Sequence, residues 1–404
     1  MRRVPSPPRP DAAALVEAEG LVYAREHRAD GTDLHYWTED AAYVLDVAEV
    51  DELERVTAEL HAMAMAATRR MAADPALLRR LGLPDGAGPA IRASLDDPRA
   101  WSLYGRFDLA YGGPGEDAKL LEYNADTPAG LVEAAVTQWS WLEALHPDRD
   151  QWNLLHEHLV RAWQQHTEPG AVVHLAADEH EPLEDWTTVA YLSDTVSAAG
   201  RCPVQLAMGA LGHDRSTGAF VDCTTPGDPR YVETIFKMYP WEWMLAEDFG
   251  PYAARPAAPT RWVEPLYKVL TGSKALLPVL WELYPGHPNL LPAYWDAHGM
   301  RDHVAKPVYG WEGAGVRVQR GGEVTAADPR HTRGQAEVFQ EYVELPDLDG
   351  NRPVLGTWVV DGSPAGLGIR ESSGLITDTQ ARFLPHWLDA PRSSPEQVQE
   401  WLRH

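Results

Sequence analysis

The chain has 404 residues, 44% of them hydrophobic and 24% charged, with 35 basic against 60 acidic side chains and a formal charge of −25. So long a chain outgrows one minimal core and is expected to fold as two or three packed lobes. The acidic balance argues against a nucleic-acid partner, since that affinity rests on neutralising phosphates, and no stretch approaches the roughly 18 apolar residues of a transmembrane helix.

From the N-terminus, "MRRVPSPPRP" carries charge with no apolar run behind it and is not a signal peptide. Residues 1–15 are expected to form a disordered tail, and the protein is expected in the cytoplasm. Residues 50–74 place Leu53, Val56, Leu60 and Met63 at the spacing of an amphipathic helix packed on a core. "GRFDLAYGGPGEDAKLLEYNADTPAG", residues 105–130, reads as two paired strands, with helices after it over 131–145 and 151–166. "AVVHLAAD" (171–178), the acidic turn "EHEPLEDW", a helix to about Ala199 and "CPVQLA" (202–207) make a β-α-β unit. That order favours a parallel sheet with ligands at the carboxyl ends of its strands.

Beyond 231 come the strand "TIFKMY", a helix near 274–284 preceded by Gly272 and Ser273, and a strand, glycine-rich loop and strand in "HVAKPVYGWEGAGVRVQ". A further strand, "AEVFQEYVELP", precedes the hairpin "PVLGTWVVDGSPAGLGIRESSGLIT", which turns at Asp361-Gly362. Cys202 and Cys223 indicate neither a disulfide framework nor a zinc site. Trp241, Trp243, Trp262 and Trp281 are expected to pack rather than to stack on a substrate.

The 105–130 hairpin gathers Arg106, Asp108, Glu122, Asn124 and Thr127. A solvated polar hairpin accounts for them; so does a Mg²⁺ site for a nucleotide, because Mg²⁺ takes oxygen ligands. There are only five lysines, Lys119, Lys237, Lys268, Lys274 and Lys306. Each stands out in an Arg-rich chain, since ammonium and guanidinium are not interchangeable at a compact site.

Lys306 precedes Gly310, Gly313 and Gly315, a loop whose backbone N–H groups can approach phosphate oxygens. It is neither a P-loop nor a Rossmann turn. Lys274 follows "TGS" at a helix start, a setting that favours anions. Gln340, Glu341, Tyr342 and Val343 can offer backbone groups to an adenine edge, and Arg370 can offer a guanidinium to charge developing on a transferring phosphoryl group. Glu184 and Asp185 lie near the edge of the parallel sheet, where acids equally suit a helix N-terminus.

"KLLEYNADTPAGLVEAAVTQW", "EPLYKVLTGSKALLPVLWELYPGHPNLL", "AKPVYGWEGAGV" and "LGIRESSG" resemble the glutathionylspermidine synthase family, a branch of the ATP-grasp ligases. The similarity runs from about residue 20 to 390. It implies a mixed α/β chain: an ATP-grasp fold with an associated parallel-sheet, preATP-grasp-like lobe. The implied division is an N-terminal lobe with the metal-site hairpin over 16–150, the preATP-grasp-like lobe over 151–230 and nucleotide-binding lobes over 231–404. The length resembles the synthetase domain alone, without the amidase domain of bifunctional members.

The resemblance further implies Asp108, Glu122 and Asn124 as ligands of Mg²⁺, taken as two ions, and Arg106 beside the nucleotide phosphates. It implies Lys274 and Lys306 on ATP, Gly310–Gly315 as the loop over the phosphates and Gln340–Val343 as the adenine hinge. Arg370, with Arg106, is implied to be catalytic at an acyl-phosphate step, and Thr127, Glu184 and Asp185 to face the substrates. The reaction implied is ATP-dependent amide formation between a small-molecule carboxylate, an amino acid or peptide, and an amine.

Some positions depart from the family. Lys237-Met238-Tyr239 stands where well-known members have Lys-Thr-Trp, Asp185 stands for a Glu, and Arg382 lies near the place of the polyamine's acid, with Asp378 the nearest carboxylate. Glutathione and spermidine therefore do not follow from these residues. The alternative is a nucleotide-binding protein without ligase turnover, a sensor or partner subunit; the intact set of charged residues speaks against it.

Overall fold

Strand β1 (Arg2–Pro5) pairs antiparallel with β2 (Ala41–Leu45) in this computed structural model, which describes residues 1–27, 33–180, 183–330, 334–394 and 396–398. The expected disordered tail is therefore corrected. Its arginines are drawn into ion pairs with buried carboxylates, Arg3 with Glu371 at 2.9 Å and Arg9 with Glu39 at 2.9 Å. Of the acidic turn, Glu181 and Pro182 lie outside the described residues, as do 399–404 at the end of the chain.

Helix α1 (Val47–Ala72) starts at a capping box: Asp46 accepts from the Glu49 amide at 2.8 Å, and the Glu49 carboxylate accepts from the Asp46 amide at 3.0 Å. Leu53, Val56, Leu60 and Met63 are buried, as their spacing requires. After it come β3 (Tyr104–Ala110), β4 (Lys119–Asn124), β5 (Arg149–Asp150), β6 (Val172–Ala177), α2 (Leu183–Ala198), β7 (Cys202–Ala207) and β8 (Thr234–Met238). The next are α3 (Trp241–Ala246), β9 (Arg261–Val263), α4 (Leu276–Leu283), β10 (Ala293–Tyr294), β11 (His303–Pro307), β12 (Arg317–Arg320) and β13 (Glu323–Ala327). The chain continues through β14 (Glu337–Glu341), β15 (Arg352–Val360), β16 (Ser363–Ser372), β17 (Arg382–Leu384) and β18 (His386–Pro391).

Four sheets frame the site. A parallel sheet has the order β9-β8-β6-β7, with α2 crossing between β6 and β7. Two antiparallel sheets have the orders β17-β16-β15-β3-β4 and β10-β14-β11-β12-β13, and a mixed sheet has the order β1-β2-β18-β5. The expected boundaries at 150 and 230 run through these sheets. Hairpin β3–β4 pairs with β15 near the other end of the chain, and β8 and β9 extend the parallel sheet past residue 231. Among the described residues no helix is long and apolar enough to cross a membrane. Cys202 and Cys223 are both free and exposed.

His386 on β18 is fully buried, with Nδ1 2.9 Å from Gln138 Oε1. Burial holds its pKa down at about 3. Folded, it stays neutral; unfolded, it takes a proton below about pH 6.5. Its contribution is therefore complete above about pH 6.5 and shrinks as pH falls toward 3, by about 1.4 kcal/mol per pH unit. The urea midpoint should be lower at pH 5 than at pH 7, and the His386→Leu variant should lose part of that difference; an identical slope in the variant would contradict a buried, neutral His386.

Candidate active site

Alternation along β3 puts Arg106 and Asp108 on one face of the sheet, while Phe107 and Leu109 point into the core behind it. The register sets Glu122 opposite Asp108 and Asn124 opposite Arg106, and Arg370 reaches the same face from β16. Arg106 Nε donates to Asp108 Oδ1 at 2.6 Å and Nη2 to Oδ2 at 3.1 Å, while Arg370 Nη2 donates to the same Oδ2 at 2.8 Å. The Asn124 Nδ2 lies 3.3 Å from Asp108 Oδ2 and 3.1 Å from Glu122 Oε1. Gly356 of β15 faces this group, and a Cβ there would lie 2.7 Å from Arg106 Cδ, so glycine makes room for the guanidinium.

Four of the five lysines are buried. Lys274 Nζ stands 3.2 Å from Glu122 Oε2 and donates to Gly310 O at 2.7 Å. Lys306, on β11 of the other antiparallel sheet, donates to Leu121 O at 2.8 Å and Gln340 Oε1 at 2.7 Å. Burial would raise the Glu122 carboxyl, but the charges of Lys274 and Lys306 and the Asn124 hydrogen bond outweigh it and hold Glu122 at about 2. Burial, aided by Lys274, pulls Lys306 down to about 8 against the opposing carboxylates. Lys237 and Lys268 are committed to the interior, Lys237 to Asp126 at 2.6 Å and Lys268 to Glu264 at 3.1 Å.

Between the two antiparallel sheets lies a cleft lined by Arg106, Asp108, Glu122, Asn124, Lys306 and Arg370. Gln340, Glu341, Tyr342 and Val343 form its far wall. Their expected backbone role is narrowed: the Glu341 amide donates to Pro292 O and the Tyr342 amide to Asp302 O, and Gln340 acts through its side chain. Within the loop, Gly313 has φ 72° and packs so closely that a Cβ would lie 2.7 Å from Ile376 Cγ2. Gly315, with φ 69°, leads the chain back toward β12.

A second lobe shares Asn124, Thr127, Ala129, Trp311 and Glu312 with the first. It runs on past Gly310 to Glu184, Asp185, Met238 and Glu242. Burial raises the Glu184 carboxyl to about 8, helped by the charges of Glu133, Glu312 and Asp185 and opposed by Arg370. The expected site residues are thus divided between two joined lobes, except that Gly315 lines neither and Lys274 reaches Glu122 from the side.

Some functional neighbours escaped the sequence reading. Asp126 accepts from Lys237 Nζ and, at 2.7 Å, from the Trp241 amide, fixing one wall of the second lobe. Trp241 and Trp262 are buried as expected, and Trp243 packs edge-on against Tyr239 and Trp311 where it lines the second lobe. Arg382 contacts the buried Glu371 and donates to Asn351 Oδ1 at 2.9 Å, so its guanidinium belongs to the framework. The i, i+4 spacing of Glu264 and Lys268 was a local signal for a pair; Asp126, Glu242 and Glu371 had none.

A parallel sheet beside two antiparallel sheets, with a glycine-rich loop bordering the cleft between them, defines a mixed α/β protein of the ATP-grasp class. The solved structure of a glutathione synthetase-like effector from Globodera pallida, in its apo form, shares this fold with a TM-score of 0.54 at 11% identity, covering 94% of this chain and 95% of that one. The chain belongs to the glutathionylspermidine synthase preATP-grasp family, whose sequence pattern matches residues 3–389. It is 36% identical to a Haemophilus influenzae protein described as a candidate acid–amine ligase, over 96% of this chain and 100% of that one. It is 27% identical to trypanothione synthetase of Crithidia fasciculata and 26% identical to the bifunctional glutathionylspermidine synthetase/amidase of Escherichia coli, over 93% and 92% of this chain. It spans 59% and 61% of the length of those two relatives.

Proposed function

We propose that this protein is an ATP-dependent carboxylate–amine ligase that forms an amide through an acyl phosphate. The observation that carries this reading is the single sheet face holding Arg106, Asp108, Glu122, Asn124 and Arg370 in front of a cleft that Lys306 enters from the facing sheet. Membership of a family of synthetases supports it.

The donor set fits Mg²⁺. Among the described residues no cluster of three or more His, Cys, Asp and Glu side chains is placed to hold a metal. Two carboxylates and an amide suit the one cation that commonly completes its shell with water and nucleotide phosphates. The Asn124 N–H donor now stands between Asp108 Oδ2 and Glu122 Oε1, where a positive charge would be well served. Asp108, Glu122 and Asn124 would hold Mg²⁺, two ions in this reading, which supplies charge neutralisation at the phosphates.

Lys274, Lys306 and Arg106 would hold the phosphates, with Gly310–Gly315 above them and Gln340–Val343 against the adenine. A substrate carboxylate oxygen attacks the γ-phosphorus, the bridging P–O bond to the β-phosphate breaks, and ADP leaves. Arg370 is placed to stabilise charge on the transferring phosphoryl group. The amine nitrogen then attacks the acyl carbon and phosphate leaves with the C–O bond electrons, while the nitrogen loses a proton. The loop excludes water that would hydrolyse the acyl phosphate. Thr127, Glu184 and Asp185 would face a small-molecule carboxylate, an amino acid or peptide, and the amine. We place this chemistry in the cytoplasm.

ADP release from Mg-ATP across a matrix of carboxylates (glutathione, dipeptides, amino acids) and amines (spermidine, diamines, amino acids) tests this reading. Release that requires one acid and one amine together is expected. ATP binding without release under any pair would favour a nucleotide-binding protein without turnover. The variant Lys306→Met should weaken ATP binding about tenfold or more, equivalent to at least about 1.4 kcal/mol; an unchanged calorimetric Kd would remove Lys306 from the nucleotide site.

A further inference from the structure

The second lobe of the cleft is lined by two carboxylates that no cation among the described residues pairs. Glu242 in the first turn of α3 and Glu184 in the first turn of α2 both line it. Among the described residues, neither carboxylate has another side chain as hydrogen-bond or ion-pair partner. The neighbouring cations are engaged elsewhere: Lys237 with Asp126, Lys268 with Glu264, Lys274 with Glu122 and Arg370 with Asp108. Burial raises the Glu242 carboxyl to about 7 and the charge of Asp126 adds to the effect, together outweighing the opposing charges of Lys237 and Lys274. A half-buried carboxylate whose nearest cations are bonded to other acids gains from a ligand that brings a positive charge of its own.

Aromatic rings stand beside Glu242. Tyr239 meets Trp243 edge-on at 5.5 Å between centroids, and Trp243 meets Trp311 of the glycine-rich loop at 5.8 Å. Trp311 is 58% exposed, so its ring remains available to a ligand. Aromatic faces attract cations through their quadrupole and cover the adjoining hydrocarbon.

We propose that Glu242 is a specificity-determining residue of this lobe, meeting an ammonium group of the amine substrate while Trp243 and Trp311 cover the carbon chain next to it. This rests on the ligase reading of the cleft and deepens it by assigning the residue that recognises the amine's charge. The same carboxylate belongs to the segment in which Met238 and Tyr239 depart from the family's Lys-Thr-Trp.

The test is calorimetric titration of the full chain with 1,4-diaminobutane and with butane-1,4-diol, its uncharged counterpart. The diamine should bind about tenfold or more tightly than the diol, and Glu242→Gln should weaken diamine binding by about tenfold or more. Affinity for a non-hydrolysable ATP analogue with Mg²⁺ should stay within about twofold in that variant, showing that it folds. Undiminished diamine binding in Glu242→Gln, or a wild-type protein that does not prefer the diamine, overturns the assignment. If Glu242→Gln does not fold, Trp311→Leu at the exposed ring decides: weakened diamine binding supports the aromatic wall, and unchanged binding overturns it. Because the readout is binding, a Glu242-dependent diamine site in a protein without turnover would leave this inference standing and defeat the ligase reading.

Discussion

Replacing Arg370 by alanine is expected to lower acid- and amine-dependent ADP release about 10³-fold or more, the effect of losing an arginine that stabilises phosphoryl transfer. The protein should stay folded and should still bind ATP. Arg370 is only partly buried, and its Nη2 contact with Asp108 Oδ2 is one of several made by that carboxylate. Asp108 keeps both contacts from Arg106 in the variant, so no buried charge is stranded. Arg370→Lys should recover little, since an ammonium cannot reproduce the planar fork of donors. A variant with wild-type turnover would exclude Arg370 from the reaction. For the same reason Asp108→Ala is a poor probe: it would strand the buried Arg106 guanidinium and mix instability with lost activity.

The neighbouring residue should behave in the opposite way. Glu371 points to the other face of β16, toward β1 and β2, and is fully buried. It accepts from Arg3 Nε at 2.9 Å, Arg3 Nη2 at 3.0 Å and the Tyr43 hydroxyl at 2.6 Å, and Arg382 contacts it as well. Glu371→Ala leaves two guanidiniums and a phenol without their common acceptor, at a cost of about 3–5 kcal/mol. Thermal unfolding should begin several degrees lower, while nucleotide affinity measured well below the transition should change little. A wild-type melting curve in Glu371→Ala would contradict a structural role for this network. Two adjacent residues, one facing the cleft and one the framework, are thus expected to separate catalysis from stability.

That separation was only half legible in the sequence. Arg106 and Asp108, two residues apart, and Glu122 and Asn124, likewise two apart, carry the period of a strand, so one face could be read without a structure. The turn at Asp361-Gly362 was equally local, and both residues do take positive φ, 48° and 83°. The β6-α2-β7 unit announced itself by alternation of element type and pairs in parallel as that order demands. What failed depended on partners far along the chain. The arginines of "MRRVPSPPRP" read as a solvated tail because Glu371 and Glu39 lie beyond any local window. The pairing of β3 with β15 across most of the sequence had no local signal either, and it joins stretches that the sequence sets in different lobes. Trp243 read as packing and Glu242 carried no local signal, since nothing nearby in sequence shows that Lys237, Lys274 and Arg370 are bonded to other carboxylates.

In the proposed reaction a substrate carboxylate is phosphorylated and its acyl group then passes to an amine. Oxygen-18 transfer tests it most directly, using the acid and amine that the ADP-release matrix identifies and labelling the acid in its carboxyl group. Acyl-phosphate ligation predicts that one labelled oxygen per amide formed appears in inorganic phosphate. Amide formation with unlabelled phosphate would contradict it.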